Sequence, residues 1–192
     1  MLRSIIFILL SIVFLAGCAA TSHHSTTVPI DTRSAEIFNQ RGNDYFVKGQ
    51  YDLAMVEYKK AIAIFPQYAK AHSNLGYTHF EMRQYDHAIA EFTKAIDSNP
   101  RYAKAYNNRG LVYFTKGEYD RAISDFNKAI EIDPNLAKPY DNRGTVYLLS
   151  GDTEKACTDF VRACELGECA TYDMLKEDGF CDLDYLAMAD IH

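Results

Sequence analysis

Apolar residues recur with a helical spacing from about residue 35 onward. One series at i, i+3, i+7 and i+10 consists of Ala103, Tyr106, Gly110 and Tyr113. A second series, which marks one face of a following helix, consists of Ala122, Phe126, Ala129 and Ile130. Between them the segment 116–118 predicts a turn, and Pro134 ends the second helix because proline cannot continue it.

This helix pair returns along the chain with a period of 34 residues. We call a set of residues spaced 34 apart a column. Five columns hold the same or a similar residue along the chain: Gly42, Gly76, Gly110 and Gly144; Ala54, Ala88, Ala122 and Ala156; Ala61, Ala95, Ala129 and Ala163; Tyr58, Phe92, Phe126 and Phe160; and Pro66, Pro100 and Pro134. A fixed period of this length predicts stacked units, since one unit alone cannot bury its apolar face. Small residues in the glycine and alanine columns predict close approach of the two helices, with the aromatic rings filling the space beside them.

The series Gly110, Tyr113, Ala122, Phe126, Ala129 and Pro134 resembles the tetratricopeptide repeat. The resemblance implies an all-α, right-handed solenoid of four helix-turn-helix units, residues 35–68, 69–102, 103–136 and 137–170, with a C-terminal helical cap over 171–192. Three residues depart from the family pattern, namely His79 in the aromatic column of the first helix, Thr153, and Glu168 in the proline column. The last two are expected of a terminal unit, which does not face another repeat.

The N-terminal segment reads as an export signal. Arg3 precedes the apolar run 5–16, in which Ser11 is the one polar residue, and the polar residues that follow make a permanent transmembrane helix the weaker interpretation. The run ends Leu15-Ala16-Gly17-Cys18, which resembles the bacterial lipobox. The resemblance implies a signal peptide over 1–17 and a lipid anchor on Cys18. An ordinary secretory signal with an accidental cysteine is the alternative.

Residues 18–34 are rich in Ser and Thr and read as a flexible tether. The residue after Cys18 is Ala19. By resemblance to Gram-negative lipoproteins this favours the outer membrane, with the protein facing the periplasm.

Charge and motifs narrow the function classes. The chain carries 26 acidic against 20 basic residues, a net charge of −6, which argues against nucleic-acid binding. No phosphate-binding loop, G-x-S-x-G or H-E-x-x-H motif is present, so we expect no enzyme, no cofactor and no metal site. His72 and His79 lie seven apart on one helix, in columns held elsewhere by tyrosines, and are interpreted as packing residues.

Four cysteines crowd near the C-terminus. Cys157 and Cys164 are separated by about 10 Å of helical rise, beyond the reach of one disulfide. If 166–170 forms a turn and 171–177 runs back antiparallel, Cys157 meets Cys181 and Cys164 meets Cys169. We therefore expect these two disulfides in an oxidising compartment, with a cysteine-dependent redox or metal site as the alternative.

The first helices present a second face at their second, sixth and ninth positions. In tetratricopeptide proteins this face lines a concave groove. The resemblance therefore implies a peptide-binding groove lined by Lys70, Asn74, Tyr77, Lys104, Asn108, Leu111, Lys138 and Asn142. Asparagine amides suit an extended backbone and lysines suit carboxylates, although a generic polar surface with no ligand is the alternative.

The sequence favours a lipid-anchored, non-catalytic adaptor that holds a protein or peptide partner in the bacterial envelope. The sequence does not decide between three roles for such an adaptor, which are envelope assembly, piloting of a pilus or secretin, and delivery of client proteins to a protease. Two competing hypotheses are the redox or metal protein on a repeat platform, and a self-associating structural spacer. The oligomeric state is left open.

Overall fold

The computed structural model describes residues 31–181. The expected signal peptide 1–17, Cys18, most of the tether 18–34 and residues 182–192 of the expected cap lie outside the described residues. None of the described helices combines the length and the hydropathy needed to cross a membrane.

The described chain consists of helices joined by short turns. In order they are α1 Thr32–Val47, α2 Tyr51–Ile64, α3 Ala69–Glu81, α4 Tyr85–Ser98, α5 Ala103–Thr115, α6 Tyr119–Ile132, α7 Ala137–Leu149, α8 Thr153–Glu165 and α9 Ala170–Glu177. The first eight form the pairs α1–α2, α3–α4, α5–α6 and α7–α8, and the second helix of each pair packs on the first helix of the next. The prediction of an all-α fold with four helix-turn-helix units is confirmed.

The first helix starts earlier than expected. α1 begins at Thr32, inside the segment 18–34 assigned above to the tether. The reason is local, because the Asp31 side chain accepts a hydrogen bond from the backbone N–H of Ser34 at 3.0 Å and so caps the helix. At the other end, α9 begins at Ala170 and packs on α8 as the start of the cap.

Each pair is held together where a glycine faces an aromatic ring. A Cβ built on Gly110 would lie 2.7 Å from Cε1 of Phe126 and 3.2 Å from the carbonyl oxygen of Ala122. Phe126 is fully buried, as are Phe92 and, within 1 to 2%, Phe160 and Tyr58 of the same column. The periodic glycine is therefore required by helix contact, as the spacing predicted.

The turns inside the pairs need a left-handed residue. Gly49, Gly117 and Gly151 adopt φ values of 71°, 76° and 81° in one 34-residue column. In the second pair that column holds Arg83, at φ 58°. A side chain is strained there because its Cβ crowds the backbone, so the turn of the second pair is the less favourable copy.

Buried ion pairs cross between the helices of a pair. Arg109 Nε and Arg143 Nη2 lie 2.8 Å and 2.7 Å from the carboxylates of Asp125 and Asp159, which are 6% and 4% exposed. Each guanidinium donates two hydrogen bonds to its carboxylate. These pairs are more buried than weak surface ion pairs, so removing one partner leaves a desolvated charge.

The second pair, which has Leu75 in place of arginine, uses a different partner. Nδ1 of buried His72 lies 2.7 Å from Oε2 of Glu91, and its Nε2 lies 3.0 Å from the carbonyl oxygen of Pro66. His79 is also buried and lies 2.6 Å from Oε1 of Gln84. Both histidines thus take packing and hydrogen-bonding positions.

Candidate peptide-binding groove

The first helices of the pairs form one side of the molecule and enclose a groove of about 630 Å³. α1, α3, α5 and α7 contribute most of its lining, with Tyr58 from α2, Leu136 from the turn before α7 and Glu168 from the turn after α8. The lining residues are Asn43, Phe46, Val47, Tyr58, Asn74, Tyr77, Lys104, Asn107, Asn108, Leu136, Ala137, Lys138 and Glu168.

One end of the groove is apolar. Phe46 and Tyr77 come from neighbouring pairs, and their ring centroids lie 5.5 Å apart. Val47, at the end of α1, is 85% exposed. Burial, reinforced by the Glu81 carboxylate, raises the pKa of Tyr77. This end offers an apolar side chain a partly desolvated surface.

The other end of the groove is cationic. Lys104 and Lys138 occupy the same position in consecutive pairs, and both are exposed. Within residues 31–181 no carboxylate oxygen lies within 4.0 Å of Lys104 Nζ, whereas Lys138 Nζ lies 3.6 Å from Oε1 of Glu168. Asn108, one turn after Lys104, adds an amide that is half-buried.

Asparagine side chains bond across the junctions between pairs. Nδ2 of Asn74 donates to Oδ1 of Asn39 at 2.9 Å and to Oδ1 of Asn43 at 3.0 Å. At the third junction Nδ2 of Asn142 donates to Oδ1 of Asn107 at 2.9 Å. We expected the asparagine amides to bind a ligand. This expectation needs correction for Asn74 and Asn142, because their Nδ2 groups already donate hydrogen bonds to the neighbouring pair.

The structure brings together five of the eight residues expected in the groove, which are Asn74, Tyr77, Lys104, Asn108 and Lys138. The other three are not among its lining residues. Lys70 lies in a separate depression with Arg101, and Leu111 and Asn142 are half-buried elsewhere on the same helices. The sequence prediction did not include Phe46 and Val47, which line one end of the groove, or Glu168, which lines the other end.

The four cysteines of the C-terminal region lie in two bonded pairs. Cys157 and Cys181 have Cα atoms 5.4 Å apart and sulfurs 2.02 Å apart, and Cys164 is bonded to Cys169 across the turn. These are the pairs that the sequence favours. Cys157 and Cys181 are fully buried beside Leu175 and Phe160, where the cap covers the last pair. Oxidation of these thiols in the mature protein stays a prediction.

The comparisons with known proteins agree with this architecture. Tetratricopeptide repeat family models match residues 42–83, 80–117, 103–136 and 126–158. The chain belongs to the tetratricopeptide repeat family, whose members generally act as non-enzymatic scaffolds for contacts between proteins. No match was found among curated protein sequences.

Solved structures share the fold. The crystal structure of MamA is 32% identical, with 72% of this chain and 81% of that chain covered and a TM-score of 0.63. PilF from Pseudomonas aeruginosa is 25% identical, with 76% and 69% covered and a TM-score of 0.68. The first repeat domain of Spaghetti (RPAP3), bound to the HSP90 peptide SRMEEVD, is 24% identical, with 65% and 98% covered and a TM-score of 0.61.

Proposed function

We propose that this protein is a lipid-anchored, non-catalytic scaffold of the bacterial cell envelope that holds an acidic, extended segment of a partner protein in the groove. The single observation that carries the proposal is the groove itself, apolar at Phe46, Val47 and Tyr77 and cationic at Lys104 and Lys138. An extended segment fits because the groove crosses several helix pairs in succession. The groove joins an apolar end to a lysine without a carboxylate partner among residues 31–181 in one concavity of about 630 Å³.

Each end of the groove has a definite role in recognition. Lys104, without a carboxylate partner among residues 31–181, attracts a ligand carboxylate. One turn away, Oδ1 of Asn108 accepts from Nδ2 of Asn107, and the Nδ2 of Asn108 is placed to donate to the ligand backbone. Phe46, Val47 and Tyr77 receive an apolar side chain. The HSP90 peptide bound by the RPAP3 domain also combines apolar and acidic residues. At 24% identity that structure supports the fold alone, so the ligand class rests on the side chains of this chain.

The envelope location rests on the sequence of the first 18 residues. The lipobox-like segment ending at Cys18 supports export and lipidation, and two or three acyl chains give a stable anchor where one does not. Mass spectrometry of the mature protein should show an N-terminal Cys18 that carries a lipid increment. An unmodified cysteine there, or a retained residue 1–17 segment, would remove the anchor from the proposal while leaving the groove untouched.

The test of the groove uses the heptapeptide SRMEEVD as a probe and fluorescence anisotropy as the readout. Lys104→Gln should weaken binding about fivefold to tenfold, because one charge-assisted contact is lost. Lys128→Gln is the matched control, since Lys128 lies on α6 and bonds Glu131 outside the groove. Equal binding of SRMQQVN with an amidated C-terminus, which carries no carboxylate, or no binding of SRMEEVD, would contradict the proposal.

Asn108→Ala is the amide variant of choice. Replacing Asn74 and Asn142 as well would break the hydrogen bonds that join neighbouring pairs. Weaker binding by such a triple variant would then report stability as much as recognition. Asn108→Ala removes one hydrogen bond within its own helix, from Nδ2 of Asn107 to Oδ1 of Asn108 at 3.1 Å, and leaves the bonds between pairs in place. It should reduce affinity for the probe by more than any small loss in melting temperature explains.

The redox and spacer hypotheses have separate tests. A cysteine-dependent function needs reactive thiols, whereas Cys157 and Cys181 are fully buried in a bonded pair. Thiol labelling of the unreduced mature protein should therefore give no reaction at these cysteines. Sedimentation velocity of the purified protein tests the spacer, which requires assemblies that grow with protein concentration.

A further inference from the structure

We propose that Glu168 is a specificity-determining residue of the groove, whose carboxylate competes with the ligand for Lys138. In this arrangement the groove accepts a ligand carboxylate at Lys104 and disfavours a second one at Lys138. The inference rests on the proposed function, and it adds which acidic segments the groove selects.

The two groove lysines are equivalent in the repeat but not in their surroundings. Lys104 and Lys138 stand 34 residues apart at the second position of α5 and α7. Oε1 of Glu168 lies 3.6 Å from Nζ of Lys138, and both side chains line the groove. Lys104 has no such carboxylate among residues 31–181. A ligand carboxylate therefore meets a free ammonium at Lys104 and a partly neutralised one at Lys138.

The turn around Glu168 fixes its backbone beside Lys138. The backbone N–H of Glu168 donates to the carbonyl oxygen of Ala163 at 2.9 Å, and the preceding Gly167 adopts φ 100°. Cys164 and Cys169 are bonded across the same turn. The backbone position of Glu168 is therefore fixed, while both side chains of the pair remain solvated, so the pair with Lys138 contributes at most about 1 kcal/mol.

Glu168 replaces the residue type that ends the earlier pairs. Its column holds Pro66, Pro100 and Pro134, none of which carries a charge. The negative charge therefore appears once, at the end of the groove, and there it faces the last lysine. The segment that fits best has a carboxylate opposite Lys104 and a neutral polar residue opposite Lys138, since two carboxylates cannot share one ammonium without repulsion.

The experiment measures the affinity of the oxidised protein for SRMEEVD by fluorescence anisotropy at low ionic strength. Glu168→Gln should bind about twofold to fivefold more tightly than the wild type, the range of an exposed ion pair. Glu165→Gln is the matched control, because Glu165 lies three residues earlier and its carboxylate pairs with Arg162, which does not line the groove. The gain should disappear at about 0.5 M salt, where charges are screened.

A double-mutant cycle separates competition from a structural effect of the turn. In a Lys138→Gln background Glu168→Gln should have no effect on affinity beyond that of Glu165→Gln, because the ammonium being contested is gone. The same gain in both backgrounds, or equal affinities of Glu168→Gln and Glu165→Gln, would overturn the role of Glu168 while the proposed function stands. Failure of every variant and of the wild type to bind the peptide would overturn both.

Discussion

Gly110→Ala tests the contact on which each helix pair depends. The added methyl carbon would lie 2.7 Å and 2.9 Å from two carbons of the Phe126 ring and 3.2 Å from the Ala122 carbonyl oxygen. Phe126 is fully buried, so neither the ring nor the backbone can move without disturbing its neighbours. Overpacking of this kind costs up to about 3 kcal/mol, while alanine in place of glycine within a helix returns about 1 kcal/mol.

The net loss is therefore up to about 2 kcal/mol, or up to about 4–8 °C in melting temperature for a chain of this size. Thermal and urea unfolding followed by circular dichroism measure it. Gly76→Ala is the graded control, since its methyl carbon would lie 3.1 Å from the Phe92 ring and should cost less. Phe126→Leu should reduce the penalty of Gly110→Ala when the two are combined. A Gly110→Ala protein as stable as the wild type would refute the reasoning.

Three further predictions concern single side chains. Arg83→Gly should raise the free energy of unfolding by about 0.5–1 kcal/mol, because it relieves a φ of 58°, and the urea midpoint should rise with it; a lower midpoint would contradict this. Burial and a nearby carboxylate raise the pKa of Tyr58 to about 12, so stability should fall as the pH rises from about 10 to about 12, and Tyr58→Phe should flatten that fall in alkaline unfolding curves. Burial alone would raise the pKa of Glu91, but hydrogen bonds from His72 and Lys94 lower it below its ordinary value. Stability is therefore lost as the pH falls through the lowered pKa of Glu91. Glu91→Gln should show a shallower acid unfolding transition than the wild type.

The 34-residue spacing was sufficient to predict the helix pairs, because it reports contacts that recur in every unit. Gly110 and Phe126 are read from their columns as neighbours, and the structure places them in contact. The start of the first helix was predicted too late, since the cap at Asp31 precedes the first periodic residue. An aspartate three residues before Ser34 was the available signal.

The groove was only partly predictable, because a column assigns the same role to every unit. Asn74 and Asn142 were expected to face a ligand, but they bond residues 35 positions earlier, across the junction. The presence of asparagine at positions 39 and 107 was the feature of the sequence that could have predicted these bonds. Phe46 and Glu168 belong to the two ends of the groove. Their columns hold Phe80 and Phe114, and Pro66, Pro100 and Pro134, none of which lines the groove, so the columns did not indicate a groove position.

The contacts at the junctions between pairs bear on how the length of the groove can change. Arg109 bonds Thr93 of the preceding pair, and Arg143 likewise bonds Asn127, so the second and third junctions share one arginine contact. Insertion of one copy of residues 103–136 after position 136 would place the arginine of the copy opposite Asn127, where Arg143 now lies, and would add the lysine of the copy that corresponds to Lys104. Duplication or deletion of whole 34-residue units would therefore lengthen or shorten the groove in fixed steps. The length of the bound segment could change in this way while both ends of the groove keep their residues.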